Sequence, residues 1–151
     1  MKGFAQLKTL APTLALVLGC SSNDSSGAGG ASVAPIEGPA TWAAIYTDYF
    51  APTGAASCGG DNAACHSSKG DPGAVVSNML CADAEECFTT TTGLSGLVKP
   101  ADVDAPSNAK LFRFLRTSGG NGKMPMDSDF VFQDGDIARI EDWISNGAKN
   151  D

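Results

Sequence analysis

Two cysteines and the only histidine of the chain fall within nine positions, Cys58-Gly-Gly-Asp-Asn-Ala-Ala-Cys65-His66, and no other stretch limits the fold so tightly. In a regular helix the Cα atoms of Cys58 and Cys65 would stand about 10.5 Å apart, at about 1.5 Å of rise per residue. A straight helix therefore cannot bring both sulfurs to one group. Gly59 and Gly60, followed by Asp61 and Asn62, favour turns and tolerate positive φ, so the segment is expected to loop out and return Cys58 toward Cys65. Asn62 to His66 has room for one helical turn at the end of that loop. A second pair follows in Cys81-Ala-Asp-Ala-Glu-Glu-Cys87, which has no histidine and is expected to close as a local disulfide.

The start of the chain bears on what these sulfurs can do. Lys2 and Lys8 accompany a short apolar run, Leu10 to Leu18, which is too short for the roughly 20 residues of a membrane-spanning helix and has the pattern of an export signal. It runs into Leu16-Val17-Leu18-Gly19-Cys20, which resembles the lipobox of bacterial lipoproteins. The resemblance implies that residues 1–19 are a removed signal peptide and that Cys20 is acylated, each buried methylene contributing about 0.8 kcal/mol to a membrane anchor. The mature protein is then expected on a bacterial membrane facing the periplasm or the exterior, and Ser21 after the cysteine leans toward an outer membrane. Residues 20–39, rich in Ser, Gly and Ala, are expected to form a flexible tether with a reach of roughly 25 Å. Residues 40–151 leave 112 positions for one small domain.

The whole chain carries 10 basic and 17 acidic residues, a net charge of −7, and loss of Lys2 and Lys8 leaves 8 against 17, or −9. An acidic surface repels nucleic acid and anionic headgroups and favours a partner with a basic docking face. In an oxidising compartment the four cysteines beyond Cys20 are expected to be thioether-linked, disulfide-bonded or metal-bound.

The periodicity is helical. Thr41-Trp42-Ala-Ala-Ile45-Tyr46-Thr-Asp-Tyr49-Phe50 spaces its apolar groups along one helix face, with Thr41 or its predecessor as cap and Pro52 beyond the end. Asp71-Pro72 reads as a cap and first helical position leading into Val75 to Leu80, and Asp83 to Phe88 as a further short helix that Thr89 to Gly93 interrupts. Ser107 to Arg116 follows Pro106 with one apolar side and is expected as a helix. Asp134 to Gly147 has a capping Asp, apolar positions at Ile137, Ile140, Trp143 and Ile144, and a terminating glycine. No alternating strand pattern occurs, so the fold class is mainly α with long loops.

Covalent haem attachment needs two cysteine sulfurs at one face and an adjacent imidazole, which C-x-x-C-H supplies within a single helical turn. Cys58 to His66 lengthens that spacing, and a Cys58–Cys65 disulfide satisfies the same loop. A zinc site drawn from Cys58, Cys65, His66, Cys81 and Cys87 has suitable donors but lacks C-x-x-C pairs. Far downstream, Gly122-Lys123-Met124-Pro125-Met126 presents thioethers, soft neutral ligands suited to the sixth position of a haem iron. Catalysis finds little support: there is no G-x-S-x-G stretch, and Asp127, Asp129, Asp134 and Asp136 read as solvated charge with a helix cap.

Taken in order, the aromatic first helix, Cys65-His66, the helix around Asn108 to Leu115, Met124-Pro125 and the closing Ile137-Ala-Arg-Ile-Glu-Asp-Trp143-Ile144-Ser-Asn-Gly147-Ala148 resemble class I cytochrome c domains, particularly small divergent ones of exported bacterial lipoproteins. The resemblance implies a single haem c, with thioethers from Cys58 and Cys65, His66 as proximal ligand and Met124 as distal ligand, Met126 being the second candidate. It also implies a first and a last helix packed through Trp42, Tyr46, Ile140 and Trp143, and a carbonyl near Gly70 to Pro72 accepting the Nδ1 proton of His66. The function implied is a membrane-anchored electron-transfer protein, not an enzyme, serving a redox protein partner. The alternative is a haemless, disulfide-bonded lipoprotein that acts as a binding module.

Overall fold

A computed structural model of the chain describes residues 34–59, 65–94, 96–126 and 128–151. The signal, Cys20 and most of the tether lie outside the described residues, as do Gly60, Asp61 and Asn62 of the expected loop. The described residues belong to a compact unit, Ser32–Asp151. It is mainly helical, and among them strand pairing is limited to two isolated bridges, Leu115 with Met124 and Thr117 with Phe132. No helix among them is long and apolar enough to cross a membrane.

The first helix, α1 (Trp42–Ile45), widens into a π-helical turn, Tyr46–Phe50. Thr41 occupies the cap position without using its side chain. Instead the Asp151 carboxylate accepts from Trp42 N at 3.0 Å and the Asp151 carbonyl from Ala43 N at 2.9 Å. Helix α2 (Pro72–Ser77) is followed by α3 (Ala84–Thr89), whose first turn is capped by Asp83 accepting from Glu86 N. The threonine run, expected to break helix, continues α3 as a second π-helical turn, Thr90–Leu94. The Thr90 hydroxyl accepts from Leu80 N at 2.9 Å, so a distant backbone group holds it in the helix.

Residues 107–116 do not form the expected helix. Two short 3₁₀ turns, Pro106–Asn108 and Lys110–Arg113, are separated by an extended Ala109. Leu111 N donates to Leu97 O at 3.0 Å, and Phe114 O accepts from Met124 N at 2.8 Å. These long-range partners satisfy backbone groups that an α-helix would otherwise pair within itself. The last helix, α4 (Asp134–Ser145), starts one residue after its cap, Gln133, whose N–H donates to the Asp136 carboxylate. Two residues beyond its end, Gly147 has a φ of +96° and Ala148 N reaches back to Trp143 O at 3.0 Å, the closure a glycine permits.

Trp42 of α1 and Trp143 of α4 stand 5.0 Å apart between ring centroids, with Phe88 edge-on to both. Ile45, Ile140 and Ile144 complete the buried contact, while Tyr46 is only partly buried beside Trp42. Such aromatic pairs contribute about 0.5–1.5 kcal/mol beyond their area burial.

Asp136, expected as solvated charge, is instead 1% exposed. Its carboxylate accepts from Ile36 N and Tyr49 Oη, each at 2.8 Å, as well as from Gln133 N. Arg139, one turn on, donates to Pro39 O and forms an ion pair with Asp48 at 2.7 Å. Residues 36–39, assigned to the tether from composition, are therefore strapped onto α4. Their Gly and Pro content could not reveal the two buried charges that hold them.

Candidate functional site

A mostly apolar cavity of about 640 Å³ opens on the side of the domain formed by loops, a size within the usual range of about 300–1,000 Å³ for small-molecule sites. Its wall includes Cys58, Cys65, His66, Met124 and Met126, with Phe50, Leu97, Leu111 and Leu115 among the apolar residues between them. Residues 58 to 66 and the distant Met124 and Met126 thus converge on one hollow.

The first stretch turns back on α1. Ala55, Ala56 and Gly59 donate their N–H groups to Asp48 O, Tyr49 O and Phe50 O, which folds Cys58 against the helix end. A Cβ at Gly59 would overlap the Cys81 carbonyl, so only glycine lets these two backbones lie flat together. Cys58 carries a free thiol. Burial pushes that thiol up to about 12, and the nearby Cys65 sulfur adds to the rise, since a second negative charge beside it would be repelled.

The second stretch holds His66, which is 6% exposed. Its Nδ1 lies 2.9 Å from Met79 O, and a carbonyl can only accept, so Nδ1 carries the proton. In the neutral ring, Nε2 is then the nitrogen that keeps the lone pair. The acceptor is Met79 rather than a carbonyl near Gly70 to Pro72, because α2 intervenes and returns the chain past the imidazole. The backbone of this stretch is fastened by Cys81 N donating to His66 O at 2.7 Å and Ala74 N to Cys65 O at 2.8 Å. Gly73 is needed here: a Cβ would overlap Cys65 O and come within 2.9 Å of His66 Nε2.

Asp71, expected to cap α2, faces backward instead. Its carboxylate accepts from the N–H and hydroxyl groups of both Ser67 and Ser68. Those donors hold its carboxyl below the usual range and tie down the turn that follows His66.

The third stretch carries Met124. Its N–H donates to Phe114 O at 2.8 Å and its carbonyl accepts from Arg116 N at 2.6 Å, so its backbone is fixed on both sides. Arg116 in turn donates from its guanidinium to Phe130 O and Ser128 O, closing the loop behind Met124. Met126, two residues on, is 62% exposed at the mouth.

Cys81 and Cys87 are joined by a disulfide, and both are fully buried. The bond links the segment behind His66 to α3. Among the described residues no group of three or more His, Cys, Asp or Glu side chains is gathered for a metal ion. The zinc arrangement would need Cys81 and Cys87, and their sulfurs are spent on each other. The pairing of Phe114 and Arg116 with residue 124 leaves no local sequence signal.

Comparison of the chain with protein-family models, curated proteins and solved structures found no match.

Proposed function

We propose that the domain is a small cytochrome c-like electron-transfer protein that holds one haem c in the loop-walled cavity, with thioethers from Cys58 and Cys65 and axial ligands from His66 and Met124. The observation that carries this reading is the convergence of Cys58, Cys65, His66 and Met124, residues up to 66 positions apart, on one apolar hollow. The residues fit the group: the cavity is large and apolar, Gly73 leaves space beside His66 Nε2, and the donors are an imidazole and a thioether.

When bound, the haem iron would take up and release one electron. The chain's own residues would set the terms of that exchange. Met79 O orients the imidazole and makes it a better donor, as outer partners do for metal-bound histidines. Met124, as a neutral and soft donor, would favour the reduced iron and raise its potential. Met124 is preferred over Met126 because its backbone is pinned and its side chain is half-buried, whereas Met126 is largely exposed. Export and anchoring through acylated Cys20 belong to the same proposal and place the domain beside a bacterial membrane, leaning outer.

Expression with haem-maturation machinery tests the reading. The expected result is a low-spin reduced-minus-oxidised visible spectrum and a covalent haem adduct by mass spectrometry, with His66→Ala abolishing the low-spin signal and Met124→Ala, but not Met126→Ala, opening the sixth site. An adduct-free protein with Cys58 and Cys65 joined in a disulfide would replace it with the haemless binding module.

A further inference from the structure

The π-helical turn that continues α3 supplies a buried hydroxyl that the proposed function leaves unused, that of Thr90. Thr92, two residues on, spends its hydroxyl within its own helix by donating to Phe88 O at 2.9 Å. The Thr90 hydroxyl has the matching approach to Glu86 O at 2.8 Å, but it also reaches outward to Leu80, accepting from its N–H at 2.9 Å and standing 2.8 Å from its carbonyl. A hydroxyl has one proton and two lone pairs, so it can share its proton between the two carbonyls while accepting from Leu80 N. Leu80 N–H and Met79 C=O are the two ends of one planar peptide unit. The Met79 end accepts from His66 Nδ1 at 2.9 Å. Leu80 C=O and Cys81 N–H are the ends of the next unit, and Cys81 N donates to His66 O at 2.7 Å. Two successive amides thus join Thr90 to His66, one to its ring and one to its backbone. Thr90, Met79, Leu80, Cys81 and His66 are all buried.

We infer that Thr90 is a positioning residue for His66, acting through the Met79–Leu80 amide to strengthen the hydrogen bond at Nδ1 and with it the donor power of Nε2. The inference rests on the haem reading only in naming what Nε2 would bind. An amide whose N–H donates carries more negative charge on its oxygen, and hydrogen bonds chained in this way reinforce one another in a low-dielectric interior. Thr90 as acceptor therefore makes Met79 O a better acceptor for the Nδ1 proton. A firmer hold on that proton fixes the ring and leaves it richer in electrons at Nε2. The Cys81–Cys87 disulfide also ties this stretch to α3, but it restrains position without polarising the amide that faces Nδ1.

The test uses the full exported chain, in the reduced state where haem is attached, and follows the His66 Nδ1 proton by NMR. Thr90→Val keeps the side-chain shape and removes the hydroxyl; the Nδ1 proton resonance should move upfield and exchange with solvent roughly tenfold faster. Thr90→Ser should restore both, and Thr92→Val, which removes only a bond within the helix, should leave both as in the parent. A Thr90 of purely structural role would lower stability with the resonance unmoved, and that outcome, or equal shifts in Thr90→Val and Thr92→Val, overturns the inference. Should Thr90→Val not fold, the parent decides: its Leu80 N–H should exchange as slowly as the core amides of α4, and exchange as fast as that of an exposed amide overturns the inference. With haem attached, the reduction potential should be higher in Thr90→Val and return in Thr90→Ser, because a weaker donor at Nε2 favours the oxidised iron less. A potential that Thr90→Val leaves unchanged overturns the effect on Nε2. A haem-free product whose Nδ1 proton still responds to Thr90 removes the electron-transfer reading and leaves the role of Thr90 standing.

Discussion

Trp42 and Trp143 are each 1% exposed with their rings 5.0 Å apart, whereas Phe114 and Met126, equally apolar, are 41% and 62% exposed at the cavity mouth. The first region is filled and held by side-chain packing. The second is hollow and held by hydrogen bonds to the backbone, from His66 Nδ1 to Met79 O, from Met124 N to Phe114 O and from Arg116 N to Met124 O, and by the Cys81–Cys87 bond. The contrast teaches how the domain divides its tasks. Interdigitated aromatic rings provide stability, and the loops, relieved of that task, hold a cavity at fixed geometry.

The largest effect should come from emptying the filled region. Trp143→Ala removes a ring packed on Trp42 and Phe88 and is expected to cost about 3–5 kcal/mol in urea unfolding; a loss below about 1 kcal/mol would mean that the packed region does not carry the fold. Next is the Cys81→Ala/Cys87→Ala pair, expected to cost roughly 2 kcal/mol for so short a loop. Its amide exchange should rise first at His66, Met79 and Cys81, and a uniform rise across α1 and α4 would erase the distinction between the regions.

Gly73→Ala probes the hollow region directly. Crowding of Cys65 O and His66 should cost about 1–3 kcal/mol and shift the His66 ring resonances, whereas unchanged resonances would show that the imidazole is not confined there. Tyr49→Phe is the smallest, about 1 kcal/mol from the lost bond to Asp136. Burial, followed by the Asp136 hydrogen bond and charge, raises the Tyr49 hydroxyl above its ordinary value of 10.0. The folded state then holds a proton that the unfolded chain releases. That stability is full below pH 10 and is lost as pH rises above it. The parent's urea midpoint should fall in that window more steeply than that of Tyr49→Phe, and parallel curves would exclude the linkage.

Local patterns in the sequence suffice where local physics decides the structure. The periodic apolar residues of α4, its glycine stop at Gly147 and the aromatic face of α1 act within a few residues of themselves. Such patterns mislead where a distant partner outweighs local propensity. Ser107 to Arg116 has a helical pattern, yet Leu97 and Met124 take its backbone groups and leave 3₁₀ turns. Asp136 looks like a solvated helix charge, yet Tyr49 and Ile36 enclose it, with Arg139 one turn on held by Asp48 and Pro39.

The candidate site shows the same division. The sequence by itself determined which donors exist, a sole histidine beside a cysteine, a second cysteine behind a glycine turn and a methionine in a downstream loop, because residue types are chemical facts that need no fold. Only the tertiary structure decided that all four border one hollow and that the Met79 carbonyl accepts the hydrogen bond from His66 Nδ1. Those are relations between residues tens of positions apart, set by long-range hydrogen bonds and burial that no window along the chain contains.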